Sequence, residues 1–291
     1  MEQELIERLP SQTPRIEPAQ CPSCSVGAGA ASAGPPPAYV YAIGHVEARF
    51  PSLAVEKEFA QVAGRSETAG KTDQQMFHAV LSNAENRYLA RQICWVFTIQ
   101  GLETYLLQPR DPADLDLLLA AIRPQASPMD LDAVLGTRGP IAPPEYCNGL
   151  MLPIVAFEQI YSFDRESLMK AIPKPEAVDA KKFRAASESV FERVLQMTDN
   201  AGATPEHRAL NYLAMRYPAI YGKAAESFAK DCSLTAVEAR PSGLSGVRQV
   251  VEVIFTYTNR NTDFTEKYIV RVDVTEGFPF LVTKLTPSFD R

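Results

Sequence analysis

The sequence predicts an α+β fold: an N-terminal mixed sheet with helices on one face, then a helical segment and a C-terminal antiparallel β-meander. Three observations predict this fold. Between residues 39 and 163 the apolar patterns follow the order β-α-α-β-β-α-β-β. Helix-type spacing follows Phe163, and the chain ends in four runs with the two-residue periodicity of strands.

The N-terminal strands are predicted from apolar runs rich in β-branched and aromatic residues: YVYAI, ICWVFTI, LETYLLQ, DLDAVLG and MLPIVAFEQIYSF. Gln100-Gly101 between the second and third runs predicts a tight hairpin. The helices are predicted from capping residues that precede apolar periodicity, and they begin at Ser52, Thr72 and Asp111. The helix that starts at Thr72 is expected to extend to about Arg91.

The C-terminal part is predicted from one helical stripe, one further helix and four strands. Within residues 180–197 an apolar stripe has helical spacing, and Thr204 starts another helix that Pro218 interrupts. The runs SLTAVEAR, RQVVEVIFTYT, EKYIVRVDV and FLVTKL predict the meander. We expect a homodimer whose contact surfaces are the stripe on 180–197 and the edges of the meander.

Composition divides the chain into three parts. Residues 1–38, rich in Cys, Pro, Gly and Ala, predict a flexible tether; 39–164 form an N-terminal α+β subdomain and 165–291 a C-terminal subdomain of helices and antiparallel sheet. The net charge is −6, and no cluster of Lys and Arg is present. Nucleic acid and anionic membranes are therefore not expected partners. Five cysteines and no secretory signal favour a cytoplasmic protein.

Two motifs resemble known sites but lack required residues. GRSETAGKT (64–72) approaches a phosphate-binding loop, but Arg65 occupies the position of its first glycine and the segment follows a helix. We interpret it as a loop whose Thr72 caps the next helix. His45, at the end of the first strand, is the best site candidate among the three histidines.

CPSC, residues 21–24, has the spacing of half a zinc site. Cys147 is the most available third ligand and His45 a candidate fourth, so a structural zinc ion held by Cys21, Cys24 and Cys147 is one hypothesis. The alternative is that Cys21 and Cys24 are unbound thiols in a linker, since one Cys-x-x-Cys is not a complete ligand set. Cys94 and Cys232 are expected to be buried small hydrophobic residues.

Several segments together resemble one family. YVYAIGHVEARFPSLAVEKEFAQVAGRSETAG, RGPIAPPEYCNGLMLPIVAFEQIYSFD and YIVRVDVTEGFPFLVTKL, with two segments between them, resemble the C-terminal domain of unknown function in the cyanobactin maturation proteins PatA and PatG. The resemblance covers about residues 39–291. It implies a place in the biosynthesis of ribosomally made, modified peptides, and it transfers no catalytic residue.

Two functional hypotheses remain open. The first is a non-catalytic accessory module that binds a precursor peptide or a subtilisin-like maturation protease. Its candidate binding residues lie in the loop GTRGPIAPPEYCNG or at the end of the first strand: Arg138, Glu145, Tyr146, Asn148, His45 and Arg49. That loop equally fits a plain connection between two strands. The second is a peptide-modifying enzyme in the same pathway, with His45, Glu47, Arg49 and Cys147 at one site.

Overall fold

The computed structural model describes residues 37–64, 70–125, 127, 129–174, 178–197, 199–243 and 246–288. Residues 37–291 form one compact unit. Apart from residues 37 and 38, the predicted tether lies outside the described residues, and Cys21 and Cys24 lie there with it. The division of the folded part at residues 164 and 165 stays a prediction.

Five strands close into a barrel in the order β1-β2-β3-β5-β4. They are β1 (Tyr39–Arg49), β2 (Cys94–Ile99), β3 (Leu102–Pro109), β4 (Asp130–Ile141) and β5 (Pro153–Asp164). The β3–β5 pair is parallel and the other pairs are antiparallel. The predicted mixed sheet is confirmed, whereas its closure was not predicted. The predicted hairpin is also confirmed, because Gln100 and Gly101 have positive φ angles of 53° and 79°.

Four helices pack against the inner apolar face of these strands. They are α1 (Leu53–Ala63), α2 (Asp73–Leu81), α3 (Arg87–Ala90) and α4 (Leu115–Ala121). The predicted caps are confirmed: Ser52 accepts from the Val55 amide, Thr72 forms a capping box, and Asp111 accepts from the Ala113 amide. The long helix predicted from Thr72 is divided after Leu81, because a short 3-10 turn begins at Ala84.

The C-terminal part has the predicted helices and meander. After α5 (Arg165–Ala171), α6 (Ala180–Leu195), α7 (Pro205–Arg216) and α8 (Ala219–Ala229) come β6 (Cys232–Pro241), β7 (Val250–Asn259), β8 (Thr265–Asp273) and β9 (Phe280–Ser288). These strands form an antiparallel sheet in sequence order. Alternate β7 residues, from Val251 to Tyr257, are buried against the helices.

The apolar stripe of α6 lies inside the core. Phe183, Ser187, Val190 and Val194 are buried among α7, α8 and the second sheet. The prediction that this stripe is a dimer surface is therefore wrong, because α7, α8 and the meander cover it within the same chain. The homodimer itself stays a prediction.

A backbone segment next to α7 borders the first half of β1. The Tyr41 amide donates to the Gly202 carbonyl at 2.9 Å, and Asn211 Nδ2 donates to the Tyr41 carbonyl at 2.8 Å. The Tyr105 hydroxyl donates to the Ala201 carbonyl at 2.9 Å. These bonds join the barrel to the helices of the C-terminal part, and they occupy the edge of β1 that β2 does not reach.

Candidate functional site

A cavity of about 900 Å³ lies at the end of the barrel where β1 extends past β4. Its walls come from residues 45–50, from α1 and α2, and from the segment that leads from α4 into β4. One wall is apolar and contains Phe50, Phe59, Met76, Phe77 and Ile122. A pocket of this size with a few convergent polar groups is the usual form of a ligand site.

The second half of β1 has one free edge at this cavity. On one side, residues 45–49 pair with β2. On the other side, β1 pairs with β4 only as far as Gly44, and no other described strand pairs with residues 45–49 there. Because backbone groups alternate in direction along a strand, Ala48 presents its amide and carbonyl to the same side as Val46. The Val46 amide points to the β4 side, where it donates to Asp132 at 2.9 Å. Ala48 therefore has an amide and a carbonyl beside the cavity that pair with no described residue.

Asp132 is the most buried ionisable group of the cavity lining, with its side chain 3% exposed. One carboxylate oxygen accepts from the Val46 amide, and the other accepts from the Ser162 hydroxyl at 2.6 Å. Burial raises the pKa of the Asp132 carboxyl, although both hydrogen bonds and the charges of Arg123 and His45 act against this. Buried carboxyl groups with a raised pKa that line a cavity are common in active sites and binding sites.

Arg123 connects the floor of the cavity to β4 and β5. Its guanidinium lies 3.3 Å from an Asp130 oxygen and 3.6 Å from an Asp132 oxygen. It also donates to the carbonyls of Leu131 and Phe163, each at 3.2 Å. Since its donors are distributed over several acceptors, Arg123 fixes the geometry of the floor.

Three aromatic rings form the apolar wall. Phe50 lies 5.2 Å from Phe59 and 4.9 Å from Phe77, and Phe59 lies 4.9 Å from Phe77 between ring centroids. Phe50 follows β1, Phe59 belongs to α1 and Phe77 to α2. These ring contacts pack the end of β1 against α1 and α2.

The structure separates the predicted binding residues into two groups. His45 and Arg49 line the cavity, where Arg49 pairs with Glu47 at 2.9 Å and also contacts Glu103 at 3.3 Å. The other group is exposed at the far end of β4 and in the loop after it, and it does not line the cavity: Arg138, Glu145, Tyr146 and Asn148.

Cys147 forms a disulfide bond with Cys94, which the sequence analysis did not predict. Both residues are buried, and the bond fastens the loop after β4 to the outer face of β2. This corrects the prediction that Cys147 is an available metal ligand, because a disulfide sulfur is not a thiolate. The prediction for Cys94 is corrected in part: Cys94 is buried as expected, but it is half of a disulfide bond and not a free thiol. In the described part of the chain, no group of three or more His, Cys, Asp or Glu side chains could hold a metal ion.

Sequence reasoning missed Asp132, Arg123 and the free edge at Ala48. The sequence MDLD contained a signal for Asp132, because acidic and apolar residues alternate there at the start of a predicted strand. The free edge carried no signal, because it depends on where β4 stops pairing with β1.

Replacing Asp132 with asparagine is expected to raise the midpoint of thermal unfolding at neutral pH. The folded state raises the pKa of this carboxyl, so its favourable contribution is complete below the ordinary pKa and is lost as pH rises through the folded value. Asparagine keeps an acceptor for the Val46 amide and does not ionise. The advantage of Asp132→Asn should therefore disappear in acid. Thermal scans of both proteins across pH test this, with the exposed Asp116→Asn as control, and an advantage independent of pH would contradict it.

The chain is an α+β domain that combines a five-stranded barrel with a four-stranded meander and has a cavity at one end of the barrel. Residues 177–287 match the family described as PatG C-terminal. A solved structure of the PatG domain of unknown function has the same fold, with a TM-score of 0.67 and 19% identity over 86% of this chain and 98% of that chain. The resemblance to the PatG C-terminal domain is thus confirmed, by the family match over residues 177–287 and by the similar fold of the solved PatG domain.

The family match and the cavity lie in different parts of the chain. The family match begins at residue 177, and every residue that lines the cavity precedes it. A comparison with curated protein sequences gives no match. Among the described helices, none combines the length and the apolar character needed to cross a membrane.

Proposed function

We propose that this protein is a non-catalytic accessory module in a cyanobactin-like pathway and that it binds an extended segment of the precursor peptide. The observation that supports this most is the free edge of β1 at Ala48, beside the cavity. An extended peptide laid along this edge would exchange main-chain hydrogen bonds with Ala48 and place alternate side chains in the cavity.

The edge has the properties that strand addition needs. β2 holds residues 45–49 on one side, so the strand is formed before any ligand arrives. The three phenylalanine rings that line the cavity pack against one another. Because the protein side is already ordered, less conformational entropy is lost on binding, and most of that loss comes from ordering the peptide.

A precursor segment fits this site better than a folded protease does, because a flexible chain can become extended along an edge. The subtilisin-like maturation protease is the second candidate partner. We assign it to the exposed loop after β4, which the disulfide holds in place and which carries Glu145, Tyr146 and Asn148. Titration of the protease against wild type and Tyr146→Ala tests this assignment: equal affinities would contradict it.

The peptide site is tested by replacing Ala48 with proline. Proline removes the amide that points to the cavity and leaves the bonds to β2, so affinity for the precursor peptide should fall about tenfold or more while the fold persists. Isothermal titration calorimetry of the precursor peptide measures this. Ala48→Ser keeps the amide and should bind as wild type does.

Glu47→Pro is the contrasting variant. Its amide points towards β2, so proline there should lower the free energy of unfolding by about 3 kcal/mol. If Ala48→Pro binds the precursor peptide as tightly as wild type, or if wild type does not bind it, the proposed site is wrong.

The second candidate function is a peptide-modifying enzyme, which the raised pKa of Asp132 favours. Of the residues first grouped for this role, His45, Glu47 and Arg49 line the cavity, whereas Cys147 belongs to the disulfide. Mass spectrometry of the precursor peptide, incubated with the protein alone and with its maturation partners, separates the two functions. A mass change that wild type produces and Asp132→Asn does not would favour the enzyme.

A further inference from the structure

The floor of the cavity contains more carboxylates than cations. Asp130 and Asp132 are 14% and 3% exposed, and the single guanidinium of Arg123 lies 3.3 Å and 3.6 Å from them. Both carboxylates also accept hydrogen bonds: the Ser127 amide donates to Asp130, and the Val46 amide and the Ser162 hydroxyl donate to Asp132. These donors are neutral, so one negative charge on the floor has no full countercharge.

The rim of the cavity adds to this imbalance. Glu47 and Arg49 neutralise each other there. Glu56 and Asp73 are exposed at the rim, and neither forms an ion pair with a described residue. Among the described residues that line the cavity, five carry carboxylates (Glu47, Glu56, Asp73, Asp130 and Asp132) and two carry guanidinium groups (Arg49 and Arg123). A ligand with positive charge is attracted to such a cavity, and one with negative charge is repelled.

The apolar wall decides which kind of cation fits. Phe50, Phe59 and Phe77 line the same cavity as these carboxylates. A lysine or arginine side chain has an apolar stem that can pack on these rings and a charged end that can reach the carboxylates. A small inorganic cation would leave the rings without a partner.

We propose that the cavity selects a peptide segment with a basic side chain, whose stem packs on the phenylalanine wall and whose charge pairs with Asp130 and Asp132. This inference rests on the proposed function and adds the chemical class of the residue that the site selects. A peptide strand on the free edge alternates its side chains, so one basic residue between two outward-facing neighbours meets the requirement.

Three blocked synthetic heptapeptides test the selection. They alternate threonine and valine, except for a central lysine, norleucine or glutamate, and each carries the same terminal fluorophore. Norleucine retains the apolar stem of lysine and lacks the charge. By fluorescence anisotropy at low salt, the lysine peptide should bind about tenfold tighter than the norleucine peptide, with the glutamate peptide weakest.

Variants then locate the charge that matters. Asp132→Asn and Asp130→Asn should each reduce the ratio of the lysine-peptide affinity to the norleucine-peptide affinity to about threefold or less. Glu158→Gln, an exposed carboxylate away from this cavity, removes the same net charge and should keep the full advantage.

Each outcome decides between the two proposals. If the lysine and norleucine peptides bind equally and Ala48→Pro weakens both, the strand-edge site stands and the selection of a basic residue is overturned. If Glu158→Gln reduces the advantage as much as Asp132→Asn does, overall charge and not the cavity floor is responsible, which also overturns the selection. If none of the three peptides binds at millimolar concentration, both the selection and the strand-edge site are overturned.

Discussion

Replacing Gly202 with alanine is expected to lower the free energy of unfolding by about 3 kcal/mol or more. A Cβ atom at this position would lie 2.3 Å from the Tyr41 carbonyl oxygen and 2.7 Å from the Ala42 Cα, and the φ angle of Gly202 is +68°. The backbone of β1 would have to move away. That movement would break the bond from the Tyr41 amide to the Gly202 carbonyl, which joins the barrel to the segment before α7.

Urea unfolding followed by circular dichroism measures this loss. Gly139→Ala is the matched control, because a Cβ there would meet only the Ile154 carbonyl oxygen at 3.5 Å, an ordinary contact. We expect Gly139→Ala to stay within about 0.5 kcal/mol of wild type. If Gly202→Ala is as stable as this control, the close approach at Tyr41 is not present in solution.

Removal of the Cys94–Cys147 disulfide is expected to cost about 2–4 kcal/mol. The two residues are 53 positions apart in sequence, so the bond closes a long loop and restricts the unfolded chain. Their Cα atoms lie 5.9 Å apart, a separation that disulfides commonly span. In the folded state the bond also keeps the loop after β4 over the outer face of β2.

Unfolding with and without dithiothreitol tests this expectation. Wild type and Cys232→Ala, which loses only a buried free thiol, should both become less stable on reduction. The double variant Cys94→Ala, Cys147→Ala should start from the lower stability and should not respond. Wild type that is insensitive to the reductant would show that the two cysteines are not bonded.

The fold could be predicted from sequence wherever local chemistry determines the structure. Ser52, Thr72 and Asp111 cap helices as expected, Gln100-Gly101 forms its hairpin, and alternation in β7 identifies the buried face of the meander. Closure of the barrel could not be predicted, because it depends on the parallel pairing of β3 with β5, which are far apart in sequence. The stripe on α6 was correctly located, but its partner could only be assigned once the meander was placed.

The candidate site was harder to predict for the same reason. His45 and Arg49, which were chosen because a strand end is a local feature, line the cavity. The environment of Asp132 could not be predicted, because it depends on Arg123 and on the amide of Val46, which lies on another strand. The bond between Cys94 and Cys147 connects two segments whose spacing resembles no disulfide motif.

Amide hydrogen exchange at Ala48 is the most direct test of the strand-edge site. The Val46 amide is bonded to Asp132 and the Glu47 amide points towards β2, so both should exchange slowly whether or not a peptide is bound. The Ala48 amide faces the cavity and should exchange rapidly in the free protein. A saturating concentration of precursor peptide should slow exchange at Ala48 and leave the amides of the loop after β4 unchanged. Exchange at Ala48 that stays rapid while calorimetry shows the peptide bound would contradict binding at this edge.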